Sequence, residues 1–426
     1  MKRVLIISPH FPPSNLAAVH RSRLFAKHLP SYGWDPYVLM VDEKYYEEQL
    51  DNNLLSLVDP SLKIEKAGAF PLTRPRLIGD IGLRAFFQLY RKAKAMIKKE
   101  KIDFLYIPIP SFYVALLGRW LHQSTGIRYG IDYIDPWVHH FPGSDRLFSR
   151  HWFSTRLARW LEPIAVKNAA LITGVAEGYY KGVGERNPHL LKNCIFGAMP
   201  YGGEVEDHRI VAGLGIRPYL FESGKDRLQM VYAGAMLPKA YGPLEAVFQS
   251  VQENPGLFRD VEFHFIGTGR TPNDPEGYNI KPLAEKYGLW QTVVFEYPRR
   301  IPYLDVLVHL DAADGIFVLG STEPHYTPSK VYQAVLSGKP VAAVLHGKST
   351  ATEVVRGAKA GIVLDFDGEQ EVDRIRTEFS GFFAGFRTFH DRFDPSAVDM
   401  TVFNTYSAGN VTKQLAGYLN LANNIQ

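Results

Sequence analysis

The strongest constraint on the fold is an alternation that runs the length of the chain, in which short apolar runs are each followed by a stretch patterned like a helix. Residues 4–8, 37–41, 104–108, 129–134 and 171–175 read as strands, and 24–29, 86–97, 113–121 and 152–166 as the helices between them. A second series follows a polar, glycine-rich stretch. Its strands are 229–233, 262–266, 292–295, 315–318, 341–344 and 361–364, with helices at 242–252, 280–287, 303–310, 329–336 and 349–356. Strand–helix alternation of this kind builds an α/β domain, a doubly wound parallel sheet covered by helices.

The 426 residues exceed what one core usually supports, so two domains are expected. The linker falls between the Tyr201-Gly202-Gly203 stretch and Arg227. Two Rossmann-like domains joined in this way are expected to face across a cleft, toward which both sheets point the C-terminal ends of their strands. Ligands of such sheets bind there. The expected boundaries are 1–205, 206–400 and a C-terminal helix within 401–426, where Val411, Leu415, Leu419 and Leu421 recur at helical spacing. That helix is expected to dock back on a domain, the N-terminal one by the resemblance given below.

Hydrophobic residues at 46% and charged residues at 22% are the balance of a soluble globular protein. The single cysteine, Cys194, excludes an intramolecular disulfide framework and fits a reducing compartment. The apolar run at 4–7 is too short for a signal peptide, and no stretch approaches the ~18 apolar residues of a membrane span. A cytoplasmic protein is expected, with no nucleic-acid partner.

The net charge of +4 is unevenly spread. Arg84, Arg91, Lys92, Lys94, Lys98, Lys99 and Lys101 share a helical pattern with Phe86, Phe87, Leu89 and Ile97. This is either a solvated helix face over the sheet or a basic surface for anionic lipid or an anionic acceptor. Phe148, Trp152, Phe153 and Trp160 lie among Arg146, Arg150, Arg156 and Arg159. That mixture suits a membrane interface or a domain-packing helix, so peripheral contact with the inner membrane face stays open.

Three segments carry candidate chemistry. Gly267-Thr268-Gly269-Arg270 follows a strand, where glycines let the backbone approach a ligand and turn N–H groups toward an anion. Pro328-Ser329-Lys330 starts a helix that Gly338 ends. Ser329 suits an N-cap, and the helix start attracts phosphate. Lys330 in that first turn opposes the dipole unless an anion is present, a local conflict typical of functional sites. Lys239, in the loop 234–242, is a third phosphate contact candidate.

In this order, these segments resemble the GT-B glycosyltransferases, specifically the retaining family 4 type. Ser8-Pro9-His10-Phe11-Pro12-Pro13 is similar to the family's first turn, His20-Arg21-Ser22-Arg23 to its arginine-bearing helix, and Met199-Pro200-Tyr201-Gly202 to the end of its first domain. Residues 232–242, 265–269, 328–341 and 406–419 resemble successive elements of its second half. The resemblance implies that Gly267, Thr268, Gly269, Arg270, Ser329, Lys330 and Lys239 hold a nucleoside diphosphate. Tyr297 and Arg299, within 296–300, fall where the base is read. Asp135, in a run similar to "D-x-R-D-P-W", would face the reacting sugar, with His10, His139 or His140 assisting.

Two departures stand out. The family's glutamate that contacts the donor ribose is Gln333 here, with Glu323 the nearest carboxylate, and Asn15-Leu16-Ala17-Ala18 replaces a glycine pair. The resemblance implies sugar transfer from a nucleotide-sugar co-substrate to a glycan, lipid-linked or small-molecule acceptor. With no paired-carboxylate motif, neither a metal nor a further cofactor is expected. The alternatives are a sugar-nucleotide 2-epimerase and a non-catalytic sugar-nucleotide-binding homologue. The absence of Gly-x-Gly-x-x-Gly after the first strand argues against a nucleotide-dependent oxidoreductase.

Overall fold

A computed structural model describes residues 1–73, 78–138, 146–224, 226–271 and 274–424. The chain divides into two compact units, Met1–Tyr201 with Ala408–Gln426, and Gly202–Ser407.

The first unit is built on a seven-stranded sheet. Its strands are β1 (Lys2–Ile7), β2 (Trp34–Val41), β3 (Lys63–Ala67), β4 (Phe104–Ile109), β5 (Arg128–Tyr133), β6 (Leu171–Gly174) and β7 (Ile195–Ala198). The order is β3-β2-β1-β4-β5-β6-β7, and every pair is parallel. The strands are apolar on both faces because both faces are covered. Leu5, Ile7, Leu39, Val41, Leu105 and Ile107 join one core with residues of the helices Phe86–Lys99, Ala115–Thr125 and Arg150–Val166. The alternate residues Val4, Ile6, Val38, Met40, Phe104 and Tyr106 join a second core with Phe25 of Ala17–His28. The C-terminal helix Ala408–Asn424 adds Val411, Leu415, Leu419 and Ala422 to that second core, so the tail completes the first sheet.

The second unit holds β8 (Leu228–Ala233), β9 (Val261–Ile266), β10 (Val294–Tyr297), β11 (Gly315–Leu319), β12 (Val341–His346) and β13 (Gly361–Phe366). Their order is β10-β9-β8-β11-β12-β13, again all parallel. Met230, Tyr232, Phe263, Phe265, Phe317 and Leu319 pack against helices Tyr241–Glu253 and Val372–His390.

The elements outside the apolar-run reading include two edge strands and one long helix. β3, with the sequence KIEKA, is an edge strand exposed along much of its length, so it needs no apolar run. β7 is four residues long at the opposite edge. Helix Val372–His390 buries Ile375, Phe379, Phe383 and Phe386, a stripe at helical spacing among charged neighbours.

In each sheet the strand order reverses direction once, between β1 and β4 in the first and between β8 and β11 in the second. The loops leaving the C-terminal ends of these neighbours diverge to opposite faces and open a crevice.

Candidate functional site

The crevice of the second unit lies between the loop after β8 and the loop after β11. Gly234 directly follows β8 with φ +113, a conformation that favours glycine. A Cβ built there would stand 3.5 Å from the Lys330 Nζ, so glycine leaves this corner open to the ammonium. The two loops are tied together where the Thr322 N–H donates to the Lys239 carbonyl at 3.1 Å. Lys239 Nζ lies 3.6 Å from Glu323 Oε1.

Lys330 opens the seven-residue helix Lys330–Leu336. Part of the residue reaches solvent, but its ammonium nitrogen does not, and it has no hydrogen-bond partner among the described residues. Nζ instead sits 3.5 Å from the ring centroid of Tyr232, the penultimate residue of β8. A cation–π contact compensates only part of the lost hydration. Burial pushes the Lys330 ammonium down to about 7. The site is therefore a shielded cation beside an open glycine corner, and its natural complement is an anion.

Ser329 stands at the helix start in helical conformation, with φ −56 and ψ −23, and makes no side-chain cap bond. An N-cap side chain needs an extended backbone to fold back onto the first turn, so the conformation explains the missing cap. Gly338, with φ +67, follows the helix end.

The glycine turn after β9 is held against the loop after β10. Gly267 has φ +71, its N–H donates to the Tyr297 carbonyl at 2.8 Å, and the Gly269 N–H donates to that of Pro298 at 2.9 Å. A Cβ on Gly269 would meet the Pro298 carbonyl oxygen at 2.5 Å, so only glycine permits this approach. Thr268 is buried, and its hydroxyl donates to Glu296 Oε1 at 2.7 Å. Glu296 also accepts from the backbone N–H groups of Asn279, Ile280 and Lys281, at the start of helix Lys281–Lys286. The carboxylate thus occupies that helix start, and the Thr268 side chain is committed to the fold. Arg270 and Arg299 are exposed. Tyr297 is half-buried, its hydroxyl 3.3 Å from His264 Nδ1, and burial pushes its phenol up to about 12.

Gln333 faces a partner that no local spacing signals. Its Oε1 lies 2.7 Å from Nε2 of His208, on helix Val205–Gly213, and burial lowers the pKa of that imidazole. The Gln333 amide is therefore engaged within the second unit.

In the first unit, His10 lies in the loop after β1, at the switch point. Its Nδ1 is 2.9 Å from Glu48 Oε1, and its ring centroid is 4.9 Å from that of Tyr46. Burial alone would raise the Glu48 carboxyl, but the hydrogen bond and charge of His10, with a hydrogen bond from Ser14, bring it to about 2. Asp135 is exposed on the turn after β5. His139 and His140 lie outside the described residues. Beneath this region Arg21 and Asp132, both fully buried, form a two-point ion pair at 2.6 and 3.0 Å. Arg21 also donates to the Pro200 carbonyl at 2.7 Å, and Thr173 donates to Asp132 at 2.8 Å. Among the described residues no group of three or more His, Cys, Asp and Glu could hold a metal ion.

No protein-family model matches the chain, and no curated protein matches it in sequence. Solved structures match it over nearly its whole length. HepE from Anabaena, in complex with UDP and glucose, is 15% identical with a TM-score of 0.62, covering 99% of this chain and 100% of that one. A UDP-forming α,α-trehalose-phosphate synthase from Burkholderia xenovorans is 12% identical with a TM-score of 0.62, covering 100% and 99%. A Listeria monocytogenes protein assigned as a UDP-N-acetylglucosamine 2-epimerase is 10% identical with a TM-score of 0.53, covering 99% and 96%. The chain thus has the GT-B fold of these nucleotide-sugar proteins, two Rossmann-like domains with a long C-terminal helix.

Proposed function

We propose that the chain is a glycosyltransferase that moves a sugar from a nucleoside-diphosphate donor to an acceptor hydroxyl with retention, on the family 4 pattern. The second domain takes the donor, and the first takes a glycan, lipid-linked or small-molecule acceptor. The observation that carries this reading is Lys330, an ammonium withdrawn from water, without a hydrogen bond among the described residues, at the switch point of the second sheet. The HepE structure in complex with UDP and glucose supports a nucleotide ligand for this fold by likeness alone.

In the reaction the bond from the sugar's anomeric carbon to the diphosphate oxygen breaks, and a bond to the acceptor oxygen forms. Negative charge grows on the leaving diphosphate, where Lys330 and Lys239 neutralise it. The acceptor's proton passes to a departing phosphate oxygen, while Asp135 or His10 orients the hydroxyl. Fixed ammonium groups supply the charge that a divalent ion would otherwise bring, so the transfer runs without added metal.

The test is calorimetric. Lys330→Ala should weaken UDP binding roughly 10- to 100-fold, the worth of a charged hydrogen bond, and leave uridine binding within about twofold. Equal losses for both ligands would remove Lys330 from the phosphate site. A second reading, sugar-nucleotide 2-epimerisation, shares this fold. Epimerised sugar formed from the nucleotide sugar alone, without acceptor, would establish it instead. The hydrogen-bonded His208–Gln333 pair favours a third, a homologue that binds the nucleotide sugar without turnover. That outcome would show as nucleotide-sugar binding with no UDP released whichever acceptor is supplied.

A further inference from the structure

Helix Arg150–Val166 is built inside out for a surface helix. Its inward side is made of Ala158, Glu162, Ala165 and Val166, all buried. Its large apolar residues Phe153, Leu157, Trp160 and Ile164, spaced by four, three and four, form one stripe that faces solvent. Phe153 is 55% exposed and Trp160 65%. A soluble helix normally turns such a stripe to the core. The stripe continues through Leu147 and Phe148, which are 66% and 77% exposed. The neighbouring helices add exposed Trp120 and Phe87. Singly exposed apolar residues need no explanation, but an exposed apolar stripe at helical spacing does.

The charge around the patch is one-sided. The three helices Phe86–Lys99, Ala115–Thr125 and Arg150–Val166 carry nine lysines and arginines and one carboxylate, Glu162. Glu162 is fully buried and accepts two hydrogen bonds from Arg186, at 2.8 and 2.9 Å. These helices alone hold more than the whole chain's net charge of +4. A second copy of the chain docked on the stripe would bring Arg156 and Arg159 against like charges. An anionic lipid surface complements both the charge and the aromatic rings.

We propose that Phe153, Leu157, Trp160 and Ile164, with Leu147 and Phe148, seat the protein on an anionic bilayer. The helix lies in the headgroup plane, flanked by Arg156, Arg159, Lys167 and Arg119. No described helix is long and apolar enough to cross a membrane, so the contact is with one leaflet. This inference stands independently of the donor site.

Flotation of the full chain with vesicles of phosphatidylcholine, with and without about 30% phosphatidylglycerol, tests it. Partition into the anionic vesicles should exceed that into neutral ones at least roughly tenfold, and should fall steeply in about 0.5 M salt. The double variant Phe153→Ser/Trp160→Ser should lower partition by at least roughly tenfold, with unchanged UDP binding and melting midpoint. Arg156→Glu/Arg159→Glu should lose the preference for anionic lipid. Wild-type protein that stays in solution with both vesicles, or a serine variant that binds like wild type, would overturn the proposal. So would a concentration-dependent dimer, dispersed by Trp160→Ser, in protein that ignores vesicles.

Discussion

A buried ammonium without a counter-charge is an expense that folding tolerates only where something else is gained. Lys330 also makes the proposed donor site sensitive to pH. Because burial holds it at about 7, the free protein carries a mixture of ammonium and amine near neutrality. A bound diphosphate favours the ammonium, so binding takes up a proton. Uptake should rise toward one as the pH goes from 7 to 9, and UDP affinity should fall over that interval. Calorimetry in buffers of different ionisation enthalpy measures the uptake, and Lys330→Met should abolish it. The same shift acts on stability. The folded pKa lies below the unfolded value of 10.5, so the unfolded chain binds the extra proton between about 7 and 10.5. The penalty is full below pH 7 and is relieved as the pH rises. Lys330→Met should therefore stabilise the unliganded protein by a few kcal/mol, roughly, at pH 6 and by less at pH 9. Arg21 is the opposite case. Burial disfavours its charge, yet Asp132 outweighs burial and holds the guanidinium above its ordinary pKa. Arg21→Met would strand a buried carboxylate and should cost about 3–5 kcal/mol in urea unfolding of the first domain. Arg21→Met/Asp132→Leu should recover much of that loss.

At the scale of elements, the site is made by loops that leave neighbouring parallel strands. Gly269 is where two of them come closest. Gly269→Ala places a methyl 2.5 Å from the Pro298 carbonyl and must push the two loops apart. UDP affinity should drop at least roughly fivefold, while Gly256→Ala, which meets open space, should leave it unchanged. The elements also separate what spacing reveals from what it hides. The stretch 328–341 announces a helix start by Pro328 and Ser329 and a helix end by Gly338, and the structure has a helix at Lys330–Leu336. Its sequence does not announce that Ser329 is helical and uncapped, because that depends on how the preceding loop enters. β3 carries no apolar run because charge on an exposed edge strand stays solvated. Glu296 reads as the first residue of the loop after a strand, whereas the structure keeps it within β10. Its role as a clasp for Thr268 and the next helix start exists only once β9 and β10 are side by side.

For the whole molecule, each unit has its own sheet and core, and the tail returns to complete the first. A chelator should leave transfer activity intact if Lys330 and Lys239 carry the leaving-group charge. Complete loss on adding EDTA, restored by a divalent ion, would reassign that role to a metal. Thermal scanning with UDP should raise the transition of the Gly202–Ser407 unit by more than that of the first, since binding stabilises what it contacts.

The sequence by itself determined the alternation of strands and helices, the existence of two α/β halves and the short list of glycines and lysines from which a phosphate site could be made. Those features are local, because hydrophobic period and turn chemistry act over a few residues. Only the tertiary structure decided which of them meet. Lys330 finds the ring of Tyr232 nearly a hundred positions earlier, Gln333 finds His208, and Arg21 finds Asp132. It also decided that the stripe on Arg150–Val166 faces outward, since the same periodicity fits a core or a membrane until the neighbouring helices have taken their places. Burial and charge pairing depend on partners distant in the chain, and no local spacing encodes them.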